Sequence, residues 1–156
     1  RIAEQLGVAT AFDQEFNKKL IASLGKADTQ DVMIDLAYKK AERHMRSNER
    51  MALAGLMVLG GWLEGLYVST EMLFSKKDDP KAKGLYMEVW NYASAHQHVR
   101  KLLNEYKDNA DYKALNEAFT AAEAVLDNVA HNNNFGPKDI EVLRTAVMAL
   151  HAKVVK

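Results

Sequence analysis

The segment from Met51 to Phe74 constrains the fold more than any other feature of the chain. Its only charged residues are Glu64 and Glu71, and it contains no Lys or Arg. A membrane-spanning helix needs about 20 apolar residues, so the segment is long enough to cross a bilayer. Glu64 lies near its middle, however, where a charge is costly in hydrocarbon. The amphipathic helices predicted elsewhere also need an apolar partner, so we predict the central helix of a bundle.

Residue choice and hydrophobic periodicity predict helices over the rest of the chain. Ala and Leu far outnumber Val and Ile, which is typical of helix rather than sheet. Helices are expected over about residues 10–24, 28–47, 81–106 and 110–132, and from residue 137 to the end. The helix over residues 28–47 has an apolar stripe at i, i+3, i+4, i+7 and i+11. Its members are Ile34, Ala37, Tyr38, Ala41 and Met45. The predicted stripe of residues 81–106 is Leu85, Val89, Tyr92, His96, Val99, Leu103 and Tyr106. The stripes of the last two helices are Tyr112, Leu115, Phe119, Ala122, Leu126 and Val129, and Ile140, Leu143, Val147, Leu150 and Val154.

The connections between these helices are short, and short connections place successive helices antiparallel. The predicted fold is therefore all-α, an antiparallel bundle of about six helices around residues 51–74. We expect one α-helical domain over residues 1–156. Within the central helix, Gly61, Gly65 and Ser69 are four residues apart. Small residues at this spacing predict a neighbour that packs closely on the helix.

Composition excludes several classes of function. The 156 residues contain 21 Lys and Arg against 21 Asp and Glu, and this zero net charge argues against nucleic acid as an obligate partner. No Cys is present, which excludes disulfides and thiolate metal sites. The chain has no nucleophile elbow, phosphate-binding glycine loop, Glu-x-x-His pair or His-Glu-x-x-His motif. We therefore predict a protein that is not an enzyme and that has no metal site and no cofactor.

Glu64 is the strongest candidate for a functional residue. A buried carboxylate must be hydrogen-bonded or protonated, and His96, Tyr67 and Tyr92 are candidate partners. The functional interpretation is a ligand-binding pocket or, less favoured, an acid or base in a helical enzyme. The structural interpretations are a satisfied polar network in the core, or Glu64 reaching solvent past Gly60. The predicted ligand-binding residues are Glu64, Tyr67, Trp62, Trp90 and His96.

The sequence Gly60-Gly61-Trp62-Leu63-Glu64-Gly65-Leu66-Tyr67, followed by a Ser/Thr-rich turn, resembles the core motif of a family of uncharacterised, all-helical lipoproteins of Bacteroidota. The likeness covers the first half of the chain. It implies a fragment of a longer protein with helices and a lipid anchor upstream. It also implies a location in the bacterial cell envelope, on the periplasmic side or the surface, with membrane attachment only through that anchor.

Three functions stay open at this point. The first is a non-enzymatic structural or interaction module of the cell envelope, with a protein partner or a second copy of itself. The second is a small-ligand-binding or sensor domain with a pocket around Glu64. The third is a helical enzyme that uses Glu64 as acid or base.

Overall fold

The computed structural model describes residues 2–5, 7–47 and 50–155, and all regular structure in these residues is helical. The all-α prediction is confirmed. Short 3-10 turns occupy Ala9–Ala11 and Pro80–Ala82. The helices are α1 (Ile2–Gln5), α2 (Gln14–Ser23), α3 (Ala27–Ser47), α4 (Met51–Ser75), α5 (Lys83–Ser94), α6 (His96–Glu105), α7 (Ala110–His131) and α8 (Pro137–Val154).

The chain forms two compact units, Arg1–Gly55 and Leu56–Lys156. The first five residues of α4 belong to the first unit, and the rest of this helix belongs to the second. The expectation of one domain over residues 1–156 stays a prediction.

In the first unit, α2 is capped by Asp13, the residue that precedes it. The Asp13 carboxylate accepts a hydrogen bond from the Phe16 N–H at 2.7 Å, which satisfies one of the free donors at the helix start. This hydrogen bond, helped by the Lys40 ammonium, lowers the pKa of Asp13. Lys40 also lies over the Phe16 ring at 5.3 Å. Contacts of this kind join α2 to α3.

The apolar stripe predicted on α3 is only partly buried. Ala41 and Met45 lie in the core, but Ile34 and Tyr38 are exposed. The expectation that these two side chains face the core is therefore wrong. Helical periodicity identifies an apolar face, but burial also requires a second element to cover it, and within this unit Ile34 and Tyr38 are left uncovered.

In the second unit, the buried side of α4 follows helical spacing. Its core residues are Leu59, Leu63, Leu66, Thr70 and Leu73. The other side reaches the surface, where the exposed residues include Val58, Val68 and Met72. By length and composition α4 could cross a membrane, with a mean hydropathy of 1.5 over its best window, of which 28% is buried within the protein. Apolar core helices pass the same test, so this finding does not distinguish the two environments.

Polar side-chain pairs join α4 to α8. The Glu71 carboxylate accepts two hydrogen bonds from the Arg144 guanidinium, at 2.7 and 3.0 Å. One heptad away on both helices, Glu64 contacts His151. Residue numbers rise along α4 while those of the partners fall along α8, so the two helices are antiparallel, as predicted. Hydrogen bonding to Glu71 also raises the pKa of Arg144.

The single helix expected over residues 81–106 is divided at Ala95 into α5 and α6. Its predicted stripe is otherwise sound, because Val89, His96, Val99 and Leu103 are buried. The stripes of the last two helices are largely confirmed as well. The buried residues there are Tyr112, Phe119, Ala122, Leu126 and Val129 on α7, and Ile140, Leu143, Val147 and Leu150 on α8.

Candidate functional site

Glu64 lies at the surface rather than in the core. Its side chain is 58% exposed, and its Oε2 atom is 2.9 Å from Nε2 of His151 on α8. The partner is therefore His151 and not His96. Of the arrangements predicted for Glu64, the structure has the one in which the carboxylate reaches solvent.

Tyr67 is the one other predicted site residue that accompanies Glu64. Its ring stacks on the His151 imidazole, with 4.1 Å between the centroids and 15° between the planes. The stacking fixes the plane of the imidazole ring, and the contact with Glu64 fixes the position of its Nε2 atom. The three side chains form a surface cluster at the α4–α8 contact, which we call the Glu64 cluster.

His96 forms a separate buried pair. The residue is 1% exposed, its Nδ1 atom lies 2.8 Å from the Ala93 carbonyl oxygen, and its Nε2 atom lies 2.8 Å from Oδ1 of Asp127. The imidazole therefore bridges two oxygen atoms, one on the backbone and one on a side chain. His96 thereby ties the break at Ala95 to α7, which is a structural role.

Trp62 is fixed between α5 and α7. Its indole N–H donates to the Tyr92 carbonyl oxygen at 2.9 Å, and its ring lies 5.9 Å from that of Phe119. Tyr92 lies in the last turn of α5, where carbonyl groups lack partners within the helix. Trp90, the remaining predicted site residue, is half-buried on α5.

The structure brings α4, α6, α7 and α8 together around a partly open cavity of about 460 Å³. Of the five predicted site residues, Trp62 alone lines it. The walls are otherwise mainly leucine, valine and alanine side chains with one further aromatic ring. They include Leu59, Leu63, Val99, Leu103, Ala114, Leu115, Phe119, Leu150 and Val154.

Sequence reasoning missed this cavity. Its signal was a set of small residues at positions that face it, namely Gly60 on α4 and Ala110 and Ala114 on α7. A Cβ atom added at Gly60 would meet no atom within 4 Å, so this glycine does not serve close packing. Gly65 differs, because a Cβ there would lie 2.7 Å from the Tyr92 ring. Gly65 therefore fulfils the prediction of a closely packed neighbour.

The cavity has polar side chains only where it meets solvent. Asp111 in the first turn of α7 and Lys153 in the last turn of α8 line it, and both are exposed. Each charge complements the dipole of its own helix end. Two buried side-chain oxygens in the described part of the chain lack a hydrogen-bond partner, on Thr70 and Ser94, and neither lines the cavity. The interior of the cavity thus offers hydrocarbon and aromatic surface.

Metal binding finds no geometric basis in residues 2–5, 7–47 and 50–155, where no three His, Asp or Glu side chains cluster as ligands would.

Comparison with protein-family models, with curated proteins and with solved structures gave no match. The resemblance to the lipoproteins of Bacteroidota therefore stays a prediction, and the function has to be argued from the site itself.

Proposed function

We propose that the second unit is a non-enzymatic binding domain for a small apolar molecule, which occupies the cavity between α4, α6, α7 and α8. The observation that carries this proposal is a cavity of about 460 Å³ walled by apolar side chains from four helices. Ligand pockets typically measure roughly 300–1,000 Å³ and are lined mainly by apolar and aromatic groups. The proposal keeps the ligand-binding function considered for this chain but moves it away from Glu64.

The walls are held in place before any ligand arrives. Trp62 is fixed by its hydrogen bond to the Tyr92 carbonyl. Phe119, on the facing helix, lies under the Arg100 guanidinium at 4.7 Å, and Arg100 in turn donates to Glu123 at 2.6 Å. A site whose side chains are already ordered loses less entropy on binding, which favours affinity.

Trp62 also makes it possible to measure binding by fluorescence. The chain has two tryptophans, and Trp90 does not line the cavity, so the variant Trp90→Phe leaves one tryptophan that reports on it. The probe is N-phenyl-1-naphthylamine, an uncharged aromatic amine whose emission rises in apolar surroundings. We expect saturable binding together with energy transfer from Trp62 to the probe.

The matched pair Ala114→Phe and Ala121→Phe locates the binding. Both alanines are exposed on α7, but only Ala114 lines the cavity. Because the added ring at position 114 occupies the cavity, we expect probe affinity to fall about tenfold, equivalent to ~1.4 kcal/mol. Ala121→Phe should bind like the parent protein. No saturable binding by the parent, with its helical circular dichroism and cooperative unfolding intact, would refute the proposed function.

The expectations of a structural or interaction module in the cell envelope, of a lipid anchor and of a protein partner stay predictions. So does the less favoured use of Glu64 as an acid or base, for which the Glu64 cluster supplies a carboxylate and an imidazole at 2.9 Å.

A further inference from the structure

The chemistry of the cavity limits the kind of molecule that fits it. The Trp62 N–H is already used by the Tyr92 carbonyl, and the other inward-facing side chains are hydrocarbon. A ligand hydroxyl, amide or charge placed inside would lose its water without gaining a partner, which costs several kcal/mol. The buried part of a ligand must therefore be apolar, and any polar group must stay at the solvent end.

The solvent end of the cavity carries two opposite charges, on Asp111 and Lys153. Neither side chain is in an ion pair within the part of the chain that the structure describes. The two side chains differ in length and in the amount of apolar surface they carry. Lysine has a long apolar stem that packs on hydrocarbon while its ammonium group stays in water. The carboxylate of Asp111 is held on a short side chain in the first helical turn, without such a stem.

We propose that the ligand is a single-chain amphiphile with an anionic head. This inference rests on the proposed function. The alkyl chain enters the cavity first, the stem of Lys153 covers the part of the chain nearest solvent, and the Lys153 ammonium group pairs with the head. A carboxylate, an alkyl sulfate or an alkyl phosphate satisfies this chemistry, whereas a nucleotide, a sugar or a free amino acid does not.

The experiment compares three competitors that share one alkyl chain and differ in the head: dodecanoate, dodecan-1-ol and dodecyltrimethylammonium. Each displaces N-phenyl-1-naphthylamine from the Trp90→Phe protein, below its micelle concentration and at low ionic strength. Since an exposed ion pair contributes little, we expect dodecanoate to bind roughly two- to fivefold more tightly than dodecyltrimethylammonium. The preference should shrink as salt is added.

Variants assign the preference to one residue. Lys153→Gln should abolish it, whereas Lys138→Gln, on the same helix but away from the cavity, should preserve it. Asp111→Asn should preserve or increase it. Equal binding of the three competitors, or a preference for the ammonium that Asp111→Asn removes, would overturn the anionic head.

The two proposals fail in different ways. If N-phenyl-1-naphthylamine binds but none of the alkyl compounds displaces it, the amphiphile is excluded and the apolar binding domain stands. If the probe does not bind the parent protein, both proposals fall together.

Discussion

Two adjacent stretches of α4 differ in composition and in surroundings, because residues 56–63 carry no charge whereas residues 64–74 contain Glu64 and Glu71. In the first stretch, one face of the helix lines the partly open cavity, through Leu56, Leu59, Gly60, Trp62 and Leu63. In the second stretch, residues 64–74, two side-chain pairs bridge α4 and α8, namely Glu64 with His151 and Glu71 with Arg144. We call residues 56–63 the open stretch and residues 64–74 the closed stretch. The difference comes from both sides of the contact, because α4 supplies the two carboxylates and α8 supplies the groups that pair with them. Opposite the second stretch, α8 presents long polar side chains, whereas α7 presents Ala110 and Ala114 to the cavity.

The comparison teaches that polar contacts can close a helix interface where apolar residues leave it open. At the end of the closed stretch, the Arg144 guanidinium lies 4.3 Å and the Lys77 ammonium 4.9 Å from the centre of the Phe74 ring. Lys77 is itself paired with Glu141, and hydrogen bonding between them lowers the pKa of Glu141 and raises that of Lys77. The volume left empty between two helices therefore depends on the size of the side chains that face each other at their contact.

The largest expected effect is a loss of folding stability at alkaline pH. It tests whether α7, the helix beside the cavity, is firmly packed. Burial raises the pKa of Tyr112 on α7 from 10.0 to about 12. Because the folded pKa lies above the unfolded one, its stabilising contribution is complete below about pH 10 and disappears as pH rises through about 12. Two units of pKa correspond to roughly 3 kcal/mol of unfolding free energy.

Urea unfolding between about pH 9 and pH 12 measures this loss. Tyr112→Phe should lose less stability over that range than the parent, and Tyr38→Phe, at an exposed position, should behave like the parent. Identical alkaline profiles for all three proteins would mean that α7 is loosely packed where it borders the cavity.

A second prediction contrasts the two glycines of α4. Gly65→Ala places a Cβ 2.7 Å from the Tyr92 ring, and we expect the resulting overpacking to cost about 1–2 kcal/mol. Gly60→Ala meets open space and should stabilise the helix by about 0.5–1 kcal/mol, because alanine favours helix over glycine. Urea denaturation gives both values. Effects of the same sign would remove the distinction between the closed and the open stretch.

The smallest effects concern the two side-chain pairs between α4 and α8. Double-mutant cycles with Glu71→Gln and Arg144→Gln, and with Glu64→Gln and His151→Gln, isolate each pair. We expect a coupling free energy about twice as large for Glu71 with Arg144, because that pair is bidentate and less exposed than Glu64 with His151. Equal couplings would show that geometry and exposure do not separate the two contacts.

Much of the fold follows from local pattern. The stripes on α7 and α8 identify their buried faces, since helical spacing alone decides which side chains share a face. The pattern is less informative about partners. Ile34 and Tyr38 have core-like spacing yet lie exposed, and the partner of Glu64 is His151 rather than His96. Both outcomes depend on which helix lies alongside and in what register, which a single sequence does not specify.

The candidate site was the least predictable part of the molecule. A cavity is volume that the surrounding side chains do not fill, so no individual residue in the sequence predicts it. Trp62 was identified as an aromatic side chain near Glu64, but its position on the cavity depends on the Tyr92 carbonyl at the end of α5. That helix end comes from the break at Ala95, where the sequence predicts an unbroken helix.

Because the helix breaks at Ala95, the helical state of α6 depends on contacts with other parts of the protein. At 12 and 10 residues, α5 and α6 are short for helices that must persist on local interactions alone, since isolated helices below about 12–15 residues are marginal in water. The helicity of α6 therefore depends on α7, through His96 with Asp127 and Arg100 with Glu123. The wall of the cavity that carries Val99 and Leu103 therefore belongs to a helix that α7 helps to hold in place.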